Sequence, residues 1–251
     1  MSLTETNLIS ITKSQFLHKI KSHLGLFNVL AAIQLIVLFL TFGRAGMIGT
    51  SSEGISLEIT KYSGDLVLIS TLLWVLYISI IFTTEAYRNA DFTFVSNRLS
   101  SNLSNIGFLF TASALGGVTA SLSGGLVRLL LYFSQGSHNI IGENFYLVPQ
   151  ELLLGLTAAV LYMILFSAVG YLIGILIKHS KIFILLLPAL FLGALYLQGM
   201  SRGKSTTILA KLVIFFVHEN SLGLLTVKIL ATGAILFVVG ILISNRTEVR
   251  Q

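Results

Sequence analysis

The chain has 251 residues, of which 55% are hydrophobic and only 10% charged. A soluble domain carries about 25% charged residues, so with a mean hydropathy of +0.90 this composition belongs to a protein whose solvent is mostly lipid. No cysteine is present, which excludes disulfides, thiolate metal sites and cysteine nucleophiles; the net charge of +6 reads as membrane topology rather than nucleic-acid binding.

Taken in chain order, residues 1–23 form an expected amphipathic segment. Phe16, Ile20, Leu24 and Phe27 recur at helical spacing, with Lys13, Lys19, Lys21, His18 and His23 filling much of the rest. That pattern predicts a helix lying on the membrane surface ahead of the first span, and not a signal peptide. Residues 24–251 follow as one transmembrane domain. A span needs roughly 20 apolar residues to cross a hydrocarbon core about 30 Å thick. Six stretches are expected to do so: Leu24–Phe42, Leu66–Phe82, Ile106–Phe133, Leu152–Ile177, Ile182–Leu197 and Leu222–Ile243. Pro188 should kink the fifth. The fold class expected is therefore all-α: six transmembrane helices, an N-terminal amphipathic helix, and a short re-entrant piece within 199–220. The last expectation rests on Ile208–Val217, an apolar run ten residues long that contains Lys211, too short to span.

With the N-terminus in the cytoplasm, nine Lys and Arg residues fall on that side (Lys13, Lys19, Lys21, Arg88, Arg98, Lys178, Lys181, Arg246, Arg250). Five fall on the other (Arg44, Lys61, Arg202, Lys204, Lys211). The balance predicts a multi-pass protein of the plasma membrane with both termini inside. The same topology disposes of the stretch GMSRGKST, Gly199 to Thr206. A phosphate-binding loop needs G-x-x-x-x-G-K-[ST]; here Gly199 and Gly203 are one residue too close, no strand precedes them, and the segment lies on the outer face.

Enzyme constellations are missing as well. Ser123-Gly124 inside the third span lacks the glycine two residues before the serine that an intramembrane serine protease uses, since position 121 is Ser, and no histidine falls within a span. His218-Glu219 is followed by Asn220, Ser221 and Leu222, so the metalloprotease pattern H-E-x-x-H is broken. The chain is expected not to be an enzyme, and to hold no cofactor and no metal of its own.

Three features point to working parts. In the third span Ala112, Gly116, Ala120 and Gly124 recur four apart, as do Ser113, Gly117, Ser121 and Gly125. These ridges let another backbone approach closely, either within the chain or across a dimer or moving seam; Gly116, Gly117, Gly124 and Gly125 mark it. Arg128 and Lys228 are ionisable residues inside spans, which either snorkel to the headgroups or face a pathway for an anionic group. The segment Thr83 to Asn105 joins the second and third spans and carries Tyr87, Phe92, Phe94, Val95 and Leu99 among Arg88, Asp91 and Arg98. Such apolar residues in a solvated loop call for a soluble partner or for the membrane surface.

Together these features resemble the membrane subunit of a type-2 ABC transporter, an exporter permease, over the whole chain. The stretch FTFVSNRLSSNLSNIGFLF is similar to that family's segment leading into the third span. The resemblance implies that the cytoplasmic loop 83–105 is a coupling element, with Phe92, Phe94, Val95, Arg98 and Leu99 touching a separate ATP-binding subunit that carries the ATP and Mg. It also implies a second permease subunit, identical or not, and an amphipathic or hydrophobic cargo such as a peptide, lipid or drug. The chain departs in having only a small outer loop between spans. The rival expectation is a membrane scaffold or regulator that docks a cytosolic partner through the same loop. Membrane lipid is a partner on either reading; nucleic acid is not.

Overall fold

The computed structural model describes residues 8–42, 46–52, 55–61, 65–83, 98–135, 149–200, 211, 214–216, 219 and 221–246. Among the described residues these elements follow in order: α1 (Leu8–Ser22), α2 (Leu24–Phe42), β1 (Gly46–Ser52), β2 (Ile55–Lys61), α3 (Asp65–Phe82), α4 (Arg98–Gln135), α5 (Pro149–His179), α6 (Phe183–Met200) and α7 (Leu222–Arg246). Five of these, α2, α3, α4, α5 and α7, contain stretches long and apolar enough to cross a membrane. The apolar part of α6, Phe183–Ala194, is shorter.

The bundle is built around α5, which packs against α3, α4 and α7. Its ends follow from its sequence. Pro149 opens it, where a missing N–H costs nothing, and Glu151 in the first turn with Lys178 and His179 in the last complement the helix dipole. Small residues bring its neighbours close. A Cβ at Gly170 would lie 2.7 Å from the Leu76 carbonyl oxygen of α3, and one at Gly174 would lie 2.8 Å from that of Ile80. On the other side, a Cβ at Gly117 of α4 would meet Val160 of α5 at 2.8 Å from Cα and 2.9 Å from the backbone nitrogen. The sequence's small-residue ridge thus packs within the chain at this point. Gly116 sits beside Thr71 and Trp74 of α3, whereas Gly124 has open space around it and Gly125 is half-buried.

The remaining core is aromatic and aliphatic: Trp74, Val75, Ile78 and Phe82 from α3, Phe108 and Leu109 from α4, Met163 and Tyr171 from α5, and Phe237 from α7. By contrast α2 and α6 leave most of their apolar side chains exposed, Leu35, Phe39, Leu185 and Leu192 among them. Exposed leucines on a membrane-length helix are lipid-compatible surface.

The structure amends the expected layout in four places. An antiparallel hairpin, β1 with β2 in register Gly46↔Lys61 through Ser52↔Ile55, interrupts the all-α expectation between the first two spans. Alternation in ISLEITK is a strand pattern too short to stand out beside the apolar spans. Second, α4 begins at Arg98, eight residues before the expected Ile106, because Leu99, Leu103 and the serines and asparagines between them continue the helix. The later part of the 83–105 segment is therefore helical and continuous with the third span. Third, α1 does not present its whole length to a membrane surface; it packs against α4, burying Gln15 and Lys19 rather than only its apolar stripe. Fourth, of the expected re-entrant residues 199–220, Gly199 and Met200 belong to α6 and Lys211 and Ile214–Phe216 are helical; 201–210, 212–213, 217–218 and 220 lie outside the described residues.

Candidate functional site: a polar pocket at the α1 end

Polar side chains concentrate where α1 meets the bundle. Lys19, only 4% exposed, donates through Nζ to Ser104 Oγ at 2.7 Å, to Asn105 Oδ1 at 2.5 Å and to the Ser101 carbonyl at 3.4 Å. An ammonium has three donors and no acceptor, so these three oxygens satisfy it and fix which way the Asn105 amide faces. A buried charge is costly unless it is hydrogen-bonded in this way. Ser104 in turn donates to the Ser101 carbonyl at 2.8 Å.

An aromatic elbow supports this contact. α1 ends at Ser22, and α2 starts two residues later at Leu24. The residue between them, His23, lies 5.0 Å from the Phe82 ring and 6.2 Å from that of Phe108. Phe82 and Phe108 stack at 4.3 Å, and Phe27 packs beside Phe108 at 5.9 Å. The ends of α1, α3 and the first turns of α4 are tied together here.

Beside the elbow lies a cavity of about 30 Å³. Thr83 follows the end of α3, Ser101, Asn102 and Asn105 come from the first turns of α4, Tyr171 and Lys178 from α5, and Ser244 from α7. Phe82 and Ile175 close its apolar side. Tyr171 is 1% exposed and its hydroxyl has no hydrogen-bond partner among the described residues; the same holds for the buried Nδ2 of Asn102. No acidic residue lines the cavity among the described residues. The arrangement offers hydrogen-bond donors and positive charge, with no nucleophile–base pair.

Of the residues expected to couple to a partner, Phe92, Phe94 and Val95 lie outside the described residues. Arg98 is the first residue of α4 and Leu99, 37% exposed, the second. They begin the same helical turns that hold Lys19. Of the candidate pathway charges, Arg128 lies in α4 with its side chain outside the described residues. Lys228 is ion-paired to Glu219, and its Nζ sits 4.1 Å from the centre of the Phe215 ring. Together with the Tyr162 hydroxyl, which donates to the Phe216 carbonyl at 2.9 Å, this pair ties Phe215, Phe216 and Glu219 to α5 and α7. Lys228 is not among the described pocket residues.

A second polar contact joins three helices within the bundle. Gln34 of α2 donates through Nε2 to Thr71 of α3 at 3.1 Å and to Thr119 of α4 at 2.9 Å. Its signal in the sequence is an amide, one of two with Asn28, inside the apolar run Leu24–Phe42. Lys19 is visible in sequence only as one topology charge among several, and nothing local singles out Asn102, Asn105 or Tyr171, which meet only in the fold. Comparison with protein-family models, with curated proteins and with solved structures finds no match to this chain.

Proposed function

We propose that this chain is the membrane-spanning permease subunit of an ABC transporter, worked by a separate ATP-binding subunit and moving an amphipathic or hydrophobic cargo outward. In this reading α6 completes a set of six spans, both termini face the cytoplasm across the plasma membrane, and a second permease subunit completes the pathway. ATP and Mg reside on the partner; this chain performs no hydrolysis.

The observation that carries the reading is the continuity of α4. It runs for 38 residues from Arg98 to Gln135, about 57 Å at 1.5 Å per residue, nearly twice the hydrocarbon thickness. The segment that holds Phe92, Phe94 and Val95 therefore joins directly to a rigid element that contacts α1, α2, α3, α5 and α7. A force that reaches Arg98 is carried through the bundle by one continuous helix. The partner's nucleotide states can shift the bundle only if it binds the segment more tightly in one of them.

Purification of the full chain from its native host in mild detergent tests the proposal. The expected result is a co-purifying ATPase that is lost in Phe92→Ala/Phe94→Ala. An associated protein without ATPase activity would favour a scaffold that docks a cytosolic partner. ATPase binding that survives the double substitution would remove these residues from the coupling role.

A further inference from the structure

We propose that the cavity between Asn102 and Tyr171 binds the phosphate group of a membrane phospholipid. The proposal is independent of the transporter reading, since it rests on side chains at one end of the bundle and not on any ATPase.

Two donors at the cavity are unspent. Buried polar groups in folded proteins are almost always hydrogen-bonded, and an orphan costs stability. The Tyr171 hydroxyl and the Asn102 Nδ2 both lack a partner among the described residues, and their residues line the same small cavity. An amide NH2 cannot accept, so the missing group must present acceptor oxygens.

Charge narrows the class. Lys178 lines the cavity, and Lys19 is bonded to Asn105 and Ser101 on its wall. No carboxylate lines it among the described residues, so the surroundings favour an anion. Size narrows it further. A volume of about 30 Å³ holds roughly two water-sized groups, which suits the two non-ester oxygens of a phosphodiester and excludes a nucleotide or a peptide.

Depth selects the source. Thr83 follows the last residue of α3, Lys178 is next to last in α5, and Ser244 is in the final turn of α7. The ends of membrane-length helices lie at the headgroup level, where lipid phosphates are concentrated. Phe82 and Ile175 give the cavity an apolar side against which the start of an acyl chain can pack.

The test uses the full chain, purified and stripped of lipid in a neutral detergent. Short-chain phosphatidylglycerol and inorganic phosphate are titrated separately and followed by calorimetry. Saturable binding of the lipid is expected, weakened about tenfold by Asn102→Leu and by Tyr171→Phe, the loss of one good hydrogen bond to a charged group. Tyr171→Phe removes a hydroxyl that has no protein partner, so the fold survives it. Tyr162→Phe, whose hydroxyl is engaged elsewhere, should leave lipid binding unchanged. Inorganic phosphate should bind at least tenfold more weakly than the lipid, because it has no acyl chain to bury about 60 Å² or more of apolar surface against residues such as Phe82 and Ile175. Equal lipid affinity in wild type and both pocket variants would overturn the proposal, as would the absence of saturable binding. Inorganic phosphate binding as tightly as the lipid would overturn the lipid as source and leave free phosphate as the ligand.

Discussion

Lys19 and Asn105 are 86 positions apart in sequence and 2.5 Å apart in space. Their contact converts an N-terminal helix that could drift on a surface into part of the bundle. Lys19→Ala removes the ammonium from Ser104, Asn105 and the Ser101 carbonyl together. Hydrogen bonds to a charged group contribute about 1.5–3 kcal/mol, so a loss of that order is expected in thermal unfolding of the detergent-solubilised chain. Amide exchange should rise across Leu8–Ser22 and the first turns of α4, while α7 keeps its protection. Unchanged exchange in α1 would show that the apolar face alone holds it.

Two tyrosines on α5 make opposite predictions. The Tyr162 hydroxyl donates to the Phe216 carbonyl, so Tyr162→Phe should cost about 0.5–1.5 kcal/mol. The Tyr171 hydroxyl is buried without a protein partner, so in lipid-free protein Tyr171→Phe should leave the melting temperature unchanged or raise it. Melting curves of the two variants side by side check this, and a Tyr171→Phe loss as large as that of Tyr162→Phe would contradict it.

The small-residue ridge separates into positions that matter and positions that do not. A side chain at Gly117 runs into the backbone nitrogen and Cα of Val160, atoms that cannot rotate away. Gly117→Val should therefore push α4 off α5 at a cost of about 1–3 kcal/mol or more. At Gly124 a Cβ meets nothing, and Gly124→Ala should be neutral or stabilise by up to about 1 kcal/mol through helix propensity. Unfolding in detergent reads both. Should Gly124→Ala instead disrupt a complex with a second subunit, its open face is an intersubunit contact.

Gln34→Leu removes a side chain shared by α2, α3 and α4, yet the expected loss is small. Thr71 still donates to the Val67 carbonyl at 2.7 Å and Thr119 to that of Leu115 at 2.8 Å. Neither hydroxyl loses its own donor bond, and interhelical hydrogen bonds in membranes average about 0.6 kcal/mol. A decrease below about 2 kcal/mol in stability is expected, with the larger effect on exchange in the weakly packed α2.

Five of the six expected spans were legible in the sequence because lipid demands long apolar runs, and the first, Leu24–Phe42, coincides with α2 end to end. The start of α4 was not legible. RLSSNLSN reads as loop by composition, since Ser and Asn favour turns; packing against α1 through Lys19, Ser104 and Asn105 makes it helix instead. The small-residue ridge was legible as a packing surface, but which of its glycines touch a neighbour depends on the position of Val160 and Thr71 in other helices. The pocket was illegible for the same reason: its residues come from four separate segments of chain, and no spacing within any one of them betrays the meeting.

The close approach at Gly117 falls almost midway along α4, 19 residues from Arg98 and 18 from Gln135. At 1.5 Å per residue the two arms are about 28 Å and 27 Å long. The helix thus meets the α5 backbone at close range near its own midpoint. A tilt about that fulcrum moves the two ends by nearly equal distances in opposite senses, so a 3 Å displacement of Arg98, on the order of one carbon–carbon contact, appears undiminished and reversed at Gln135.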